Sequence, residues 1–248
     1  YTYRTDTVYP TCINAGYTEH FCACGESYRD GYIPALGHDY VNGVCSRCGN
    51  TEGSCDGGAN CPSKPYHDVD TGRWYHEGID YAIAHGLMNG VGNGMFEPES
   101  SMTRAMLVTV LWRLDGSRAP AGRNTFTDVP GGQWFTDAVT WAAENGVVNG
   151  VGSGKFEPDG RVTREQIATI LFRYAAKRYD TSARADLSVF PDAGRVSAYA
   201  REALAWANAA GLVNGTDNGH GLILDPQGDA TRAQVAAILM RYVKNIVR

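Results

Sequence analysis

The chain has 248 residues, 43% of them hydrophobic and 20% charged, which is apolar material for one sizeable core or two smaller ones and excludes a disordered chain. Its 22 Lys and Arg against 27 Asp and Glu give a net charge of −5, which argues against nucleic-acid binding through a bulk positive field. No apolar run approaches the roughly 18 residues of a membrane span, and the start Tyr1-Thr2-Tyr3-Arg4 carries neither an initiator Met nor a signal region, so the chain reads as a mature fragment of something longer.

All seven cysteines stand before position 62, at 12, 22, 24, 45, 48, 55 and 61. This sets residues 1–54 apart as a small irregular or β Cys-rich module, followed by a Gly- and Pro-bearing linker over 55–65. Cys45-Ser46-Arg47-Cys48-Gly49 is a C-x-x-C-G knuckle, Cys22-Ala23-Cys24-Gly25 is a shortened companion, and His20 and His38 lie near. These are enough soft ligands for one tetrahedral zinc, held by Cys22 or Cys24 with His38, Cys45 and Cys48 in a zinc-ribbon-like site. The alternative is disulfides, with Cys55–Cys61 and Cys12–Cys22 as local pairs.

From Tyr66 the chain repeats itself three times, over 66–120, 121–185 and 186–248. The first copy runs Tyr66-His67-Asp68-Val69, Trp74, Tyr81-Ala82, Gly86, Asn89-Gly90, Phe96-Glu97-Pro98 and Thr103-Arg104. The second runs Phe126-Thr127-Asp128-Val129, Trp134, Trp141-Ala142, Gly146, Asn149-Gly150, Phe156-Glu157-Pro158 and Thr163-Arg164. The third runs Phe190-Pro191-Asp192, Trp206-Ala207, Gly211, Asn214-Gly215, Leu224-Asp225-Pro226 and Thr231-Arg232. The Asp-to-Thr spacing is 35 residues in the first two copies and 39 in the third, where the loop around 217–221 is longer.

Each copy carries two helical patterns. Ile79, Ala82 and Ile83, with Val139 and Ala142 or Leu204 and Ala207 at the equivalent places, predict a first helix that stops at Gly86, Gly146 or Gly211. After the Thr-Arg pair, Leu107, Val110, Leu111 and Leu114, and their counterparts up to Tyr174 and Tyr242, predict a second. One helix pair cannot bury its apolar face alone, so the three pack as a stacked solenoid or a closed cluster; without a polar capping repeat at either end, closure is expected, with a groove between each pair of neighbours.

Thr163 with Gln166 and Thr231 with Gln234 have the form of a capping box, whereas Met106 leaves Thr103 only half of one. The Arg falls on the first helical residue, where the macrodipole disfavours a cation. Three at one place, beside helix N-termini with free N–H groups, suggest carboxylate or phosphate receptors. Alternatively each Arg pairs with Asp68, Asp128 or Asp192 and stitches the grooves. Trp141 and Trp206 read as core; Trp74 and Trp134, at the start of the first helix, suit ligand contact and packing equally. Gly92 and Gly152 lie in tight turns that let a ligand approach the backbone.

These elements, in order and in triplicate, resemble the S-layer homology repeats of bacterial surface proteins. The resemblance implies a mainly α, pseudo-threefold domain that anchors exported proteins noncovalently to a secondary cell-wall polysaccharide, typically one bearing a ketal-linked pyruvate. It further implies that the Arg of a Thr-Arg-Ala-Glu motif holds the ligand in each groove, which points to Arg104, Arg164 and Arg232. This chain has Met106, Gln166 and Gln234 in place of the Glu, and Leu224 in place of the aromatic. The Cys-rich wording resembles modules found beside such repeats in exported proteins of Gram-positive anaerobes. An enzyme is not expected, since no His stands beside an obvious Ser, Cys or carboxylate partner. A protein-interaction or adhesin module binding other surface proteins, and the anchor region of a larger exported enzyme, are the alternatives.

Overall fold

The computed structural model describes residues 3–10, 15–22, 25–34, 36, 39–41, 44–45, 55, 57–58 and 60–247. They fall into two compact units, Tyr1–Lys64 and Pro65–Arg248. In the first, β1 (Tyr3–Val8), β2 (Gly16–Cys22) and β3 (Ser27–Ile33) form an antiparallel meander in that order. Most of its side chains are exposed, so cross-strand pairs rather than a core hold it. Arg29 Nε donates to Glu19 directly opposite at 3.0 Å, and the His20 ring stacks on Tyr28 with centroids 4.4 Å apart. A two-residue ladder pairs β4 (Tyr40–Val41) with β5 (Val44–Cys45).

The expected zinc set needs correction at one member. Cys22 is already in a disulfide, and a sulfur bonded to sulfur is not the thiolate that zinc requires. Cys24, His38 and Cys48 lie outside the described residues, as does Cys12, and of Cys45 only the strand is described. Cys55 and Cys61 are not joined to each other, so that local disulfide does not form.

The second unit holds six α-helices: α1 (His76–Ala84), α2 (Arg104–Leu114), α3 (Thr136–Glu144), α4 (Arg164–Ala175), α5 (Arg201–Ala209) and α6 (Arg232–Tyr242). Short 3-10 turns over Leu187–Val189, Ala193–Arg195 and Ala198–Ala200 lead into α5. None of these helices is long and apolar enough to cross a membrane. The first helix of each repeat ends as its glycine predicts. After α1, Gly86 takes a φ of 64°, its N–H reaches Ile83 O at 2.9 Å, and the Leu87 N–H reaches Ala82 O at 2.8 Å. This is the paired closure of a Schellman motif, for which a side chain at Gly86 would carry a steric penalty.

The second helix of each repeat packs on the first helix of the next, α2 on α3 and α4 on α5, and α6 returns to α1. Leu107, Leu111, Ile167, Leu171, Val235 and Leu239, all fully buried, form the middle of the core. Backbone bonds run round the same circuit: Met102 N–H donates to Ala230 O at 2.8 Å, Ala230 N–H to Val162 O at 2.9 Å, and Val162 N–H to Met102 O at 2.9 Å. These residues immediately precede the three capping threonines. Their bonds fix the helix starts in one another's company.

Candidate functional site

At the start of each second helix the caps form as read. The Thr163 and Thr231 side chains accept from the N–H groups of Gln166 and Gln234, whose side chains bond back, and Thr103 accepts from Met106 N–H alone at 3.2 Å. The free N–H groups expected beside them are absent, because the loop of the next repeat occupies them. Arg104 N–H donates to Gly160 O and Ala105 N–H to Pro158 O, both at 2.9 Å. Arg164 and Glu165 do the same with Gly228 O and Pro226 O, and Arg232 and Ala233 with Ser100 O and Pro98 O. A ligand anion therefore meets no open helix terminus here. Only the guanidinium remains to receive it.

Each guanidinium is buried and reaches across to a neighbouring repeat. Arg104 Nε donates to Phe156 O at 2.7 Å and Nη2 to Asn149 O at 3.3 Å, with its charge centre 4.7 Å above the Phe156 ring. Arg232 repeats this against Phe96 O at 2.8 Å, Asn89 O at 2.7 Å and the Phe96 ring at 4.6 Å. Arg164 Nε donates to Leu224 O at 2.8 Å, and no ring lies there. Burial pulls all three below the ordinary guanidinium pKa. Glu157 and Asp128 oppose this at Arg104, Asp225 and Asp192 at Arg164, and Glu97 and Asp68 at Arg232.

No carboxylate comes within ion-pair distance of any of the three among the described residues, so the direct Arg–Asp stitching weighed above is not present. Asp68, Asp128 and Asp192 instead clamp the loop that the arginine touches. Asp128 accepts from the N–H groups of Phe156 and Glu157, both at 2.8 Å; Asp68 accepts from Phe96 and Glu97 at 2.8 and 2.7 Å; and Asp192 accepts from Leu224 and Asp225, both at 2.8 Å. Each clamp holds a non-glycine residue at positive φ, 57° at Glu97, 58° at Glu157 and 45° at Asp225. Burial pushes the Asp128 carboxyl up, but the N–H groups of Phe156 and Glu157 outweigh it and hold it below its usual range.

Three grooves result. The α2 groove, about 520 Å³, receives Arg232 and is bordered by Trp134, Asn89 and Arg113. The α4 groove, about 340 Å³, receives Arg104 with Tyr199, Asn149 and Arg173. The α6 groove, about 360 Å³, receives Arg164 with Trp74, Asn214 and Arg241. Trp74 and Trp134 are exposed at the groove walls, 58% and 59%, whereas Trp141 and Trp206 are buried in the core. Gly92 and Gly152 sit at loop tips with φ of 111° and 115° and open space where a side chain would start, and neither lines a groove.

Two groups escaped the sequence reading. Arg113, Arg173 and Arg241 recur nine residues after the Thr-Arg arginine in every copy, a signal present at fixed spacing. Tyr199 stands two residues before α5, as Trp74 and Trp134 stand before α1 and α3. Its hydroxyl donates to Glu165 Oε1 at 3.1 Å, and Glu165, itself buried, also accepts from Ser197 N–H and Oγ at 3.0 and 2.7 Å. Burial first, and then the Glu165 charge and hydrogen bond, push the Tyr199 hydroxyl up to about 12.

Against known proteins, the model of the S-layer homology domain matches residues 65–105, 125–168 and 189–236. The surface-layer 125 kDa protein of Lysinibacillus sphaericus is 29% identical over 68% of this chain and 14% of its own length. An amylopullulanase of Thermoanaerobacterium thermosulfurigenes is 28% identical over 71% of this chain and 9% of its own. A cellulosome-anchoring protein of Acetivibrio thermocellus is 30% identical over 46% of this chain and 27% of its own. The chain thus corresponds to roughly a quarter or less of these relatives' lengths.

Proposed function

Because this chain belongs to the S-layer homology domain family, which anchors noncatalytically at the bacterial cell surface or wall, we propose that it binds carboxylate-bearing units of a secondary cell-wall polysaccharide in its three grooves. The ligand group is a ketal-linked pyruvate, and Arg104, Arg164 and Arg232 receive it, with Trp74, Trp134 and Tyr199 lying against the sugar faces. The repeats, 66–120, 121–185 and 186–248, stand about an approximate threefold axis, a reading supported by the cyclic backbone bonds. Asp68, Asp128 and Asp192 act by positioning the loop carbonyls that orient each arginine.

The observation that carries this reading is a buried guanidinium at each groove with no carboxylate in ion-pair contact among the described residues. Desolvating such a cation costs several kcal/mol in the unliganded protein, a cost partly returned when an anion arrives. The amylopullulanase relative favours a second, compatible reading, in which this stretch is the anchor of a larger exported enzyme. A zinc on Cys24, His38, Cys45 and Cys48 belongs to the proposal for residues 1–54, and metal analysis of the purified chain tests it.

The deciding experiment is calorimetric titration of the chain with purified wall polysaccharide before and after chemical removal of pyruvate, repeated on R104A, R164A and R232A. Binding is expected to vanish with the pyruvate and to fall with each substitution. Equal binding to both forms of the polymer refutes the carboxylate reading.

A further inference from the structure

The three grooves share a plan but not a chemistry. In the α2 and α4 grooves the loop tip is Val91-Gly92 or Val151-Gly152, closed by a single bridge, Gly92 to Met95 or Gly152 to Lys155. The third repeat spends its extra residues there on a hairpin of β6 (Thr216–Asp217) and β7 (Leu222–Ile223). That hairpin puts Asp217 in the wall of the α6 groove at the place the other repeats leave to glycine. The Asp217 side chain is exposed, with Oδ1 accepting from Gly219 N–H at 2.8 Å.

Arg164 differs in the same groove. Arg104 and Arg232 each spend an Nη on an asparagine carbonyl, but among the described residues Arg164 donates only through Nε. Arg164 is 5% exposed and lines the groove, and its Nη groups, which have no protein partner among the described residues, keep contact with solvent. Asp217 does not supply one. No ion pair joins them, and the charges that act on Arg164 are those of Asp225 and Asp192. The groove therefore offers two cations, Arg164 and Arg241, and one anion, Asp217, around about 360 Å³, room for a single sugar unit.

We propose that the α6 groove takes a zwitterionic sugar unit, one carrying an ammonium as well as a carboxylate, and that Asp217 is the residue that reads the ammonium. A plain acidic sugar satisfies Arg164 there but brings its carboxylate into the field of Asp217, and an N-acylated one leaves Asp217 facing a neutral amide. An amino sugar satisfies both charges. The other two grooves have no counterpart of Asp217 and do not make this distinction. Specificity then comes from a repelling group as much as from an attracting one. The inference rests on the carboxylate reading of the grooves.

The test uses the full chain, labelled with nitrogen-15, and two synthetic probes: a methyl glycoside of glucosamine with a ketal-linked pyruvate and a free amine, and its N-acetylated counterpart. The indole N–H of Trp74 reports on the α6 groove and that of Trp134 on the α2 groove within one sample. At Trp74 the amino probe is expected to reach its midpoint at a concentration about tenfold lower than the N-acetyl probe, the worth of one charge-assisted hydrogen bond. At Trp134 the two midpoints agree. Asp217→Asn, which keeps an acceptor for Gly219, brings the Trp74 midpoints together without disturbing Trp134. Equal midpoints at Trp74 in the unsubstituted chain, or a preference that survives Asp217→Asn, overturn the assignment of Asp217 while leaving the anchor intact. If neither probe moves either indole, the carboxylate reading fails and this inference falls with it.

Discussion

Removing the Asp128 carboxylate tests how the arginine is presented. Its two oxygens each accept one backbone N–H at 2.8 Å, one from the buried Phe156 and one from the more exposed Glu157. A hydrogen bond to a charged group contributes about 1.5–3 kcal/mol, and solvent screening cuts the exposed one to the lower end or less. Asp128→Ala should therefore cost about 2–3 kcal/mol, or about 5–10 °C in the unfolding midpoint of a unit this size. Asp128→Asn keeps one acceptor and should cost roughly half as much. The assay is urea unfolding followed by tryptophan fluorescence and circular dichroism. A ligand titration should accompany it, because Phe156 O is the acceptor that fixes Arg104 Nε. The α4 groove should lose affinity, whereas the α2 groove, reported by Trp134, should not. An Ala variant within about 0.5 kcal/mol of the unsubstituted chain would refute the clamp, since an unpaired N–H at a buried residue costs more than that. So would an Asn variant no more stable than Ala.

Other expectations follow from the same geometry. A Cβ at Gly78 would stand 2.8 Å from the Ala237 Cα, so Gly78→Ala should force α1 from α6 and lower stability by about 1–2 kcal/mol, despite a gain in helix propensity of up to about 1. An unchanged or higher urea midpoint would show that the seam yields freely. Glu165→Gln should lower the Tyr199 pKa from about 12 toward the ~10 of free tyrosine without reaching it, because burial persists; carbon-13 titration of the ring, with Tyr199→Phe to identify the signal, reads this directly. Asp128 has its folded pKa depressed, so its contribution is complete above the unfolded value of about 3.9 and is lost as pH falls through the folded one. Thermal midpoints should thus be level from neutral pH to about 5 and drop below about 4, less steeply in Asp128→Asn; equal slopes would discount the clamp as a source of acid sensitivity.

What the sequence disclosed was what short-range chemistry decides. The Gly86 stop, the Thr163–Gln166 box and the half-cap at Thr103 depend on residues within five positions, and each is present as read. The groove assignments depend on partners far along the chain, such as Phe96 O for Arg232, 136 residues away, and no spacing rule reveals them. The N–H groups of the second helices looked free for the same reason: their acceptors, Pro158 O for Ala105 among them, belong to another repeat. Tyr199 escaped because a Trp was sought where the third copy has substituted another aromatic ring. In residues 1–54 the aromatic and β-branched content allowed strands, but alternation on a sheet whose two edge strands are exposed on both faces leaves little hydrophobic period to detect.

The return of α6 to α1 makes the number of repeats a topological quantity rather than an additive one. A stacked array can lose or gain a unit at its end, but this circuit has no end unit, and excision of any repeat opens two seams at once. Its closing seam joins residues more than 150 positions apart, including Lys244 and Glu77 at 2.6 Å, so it carries the largest loop-closure entropy and should be the last to form during folding.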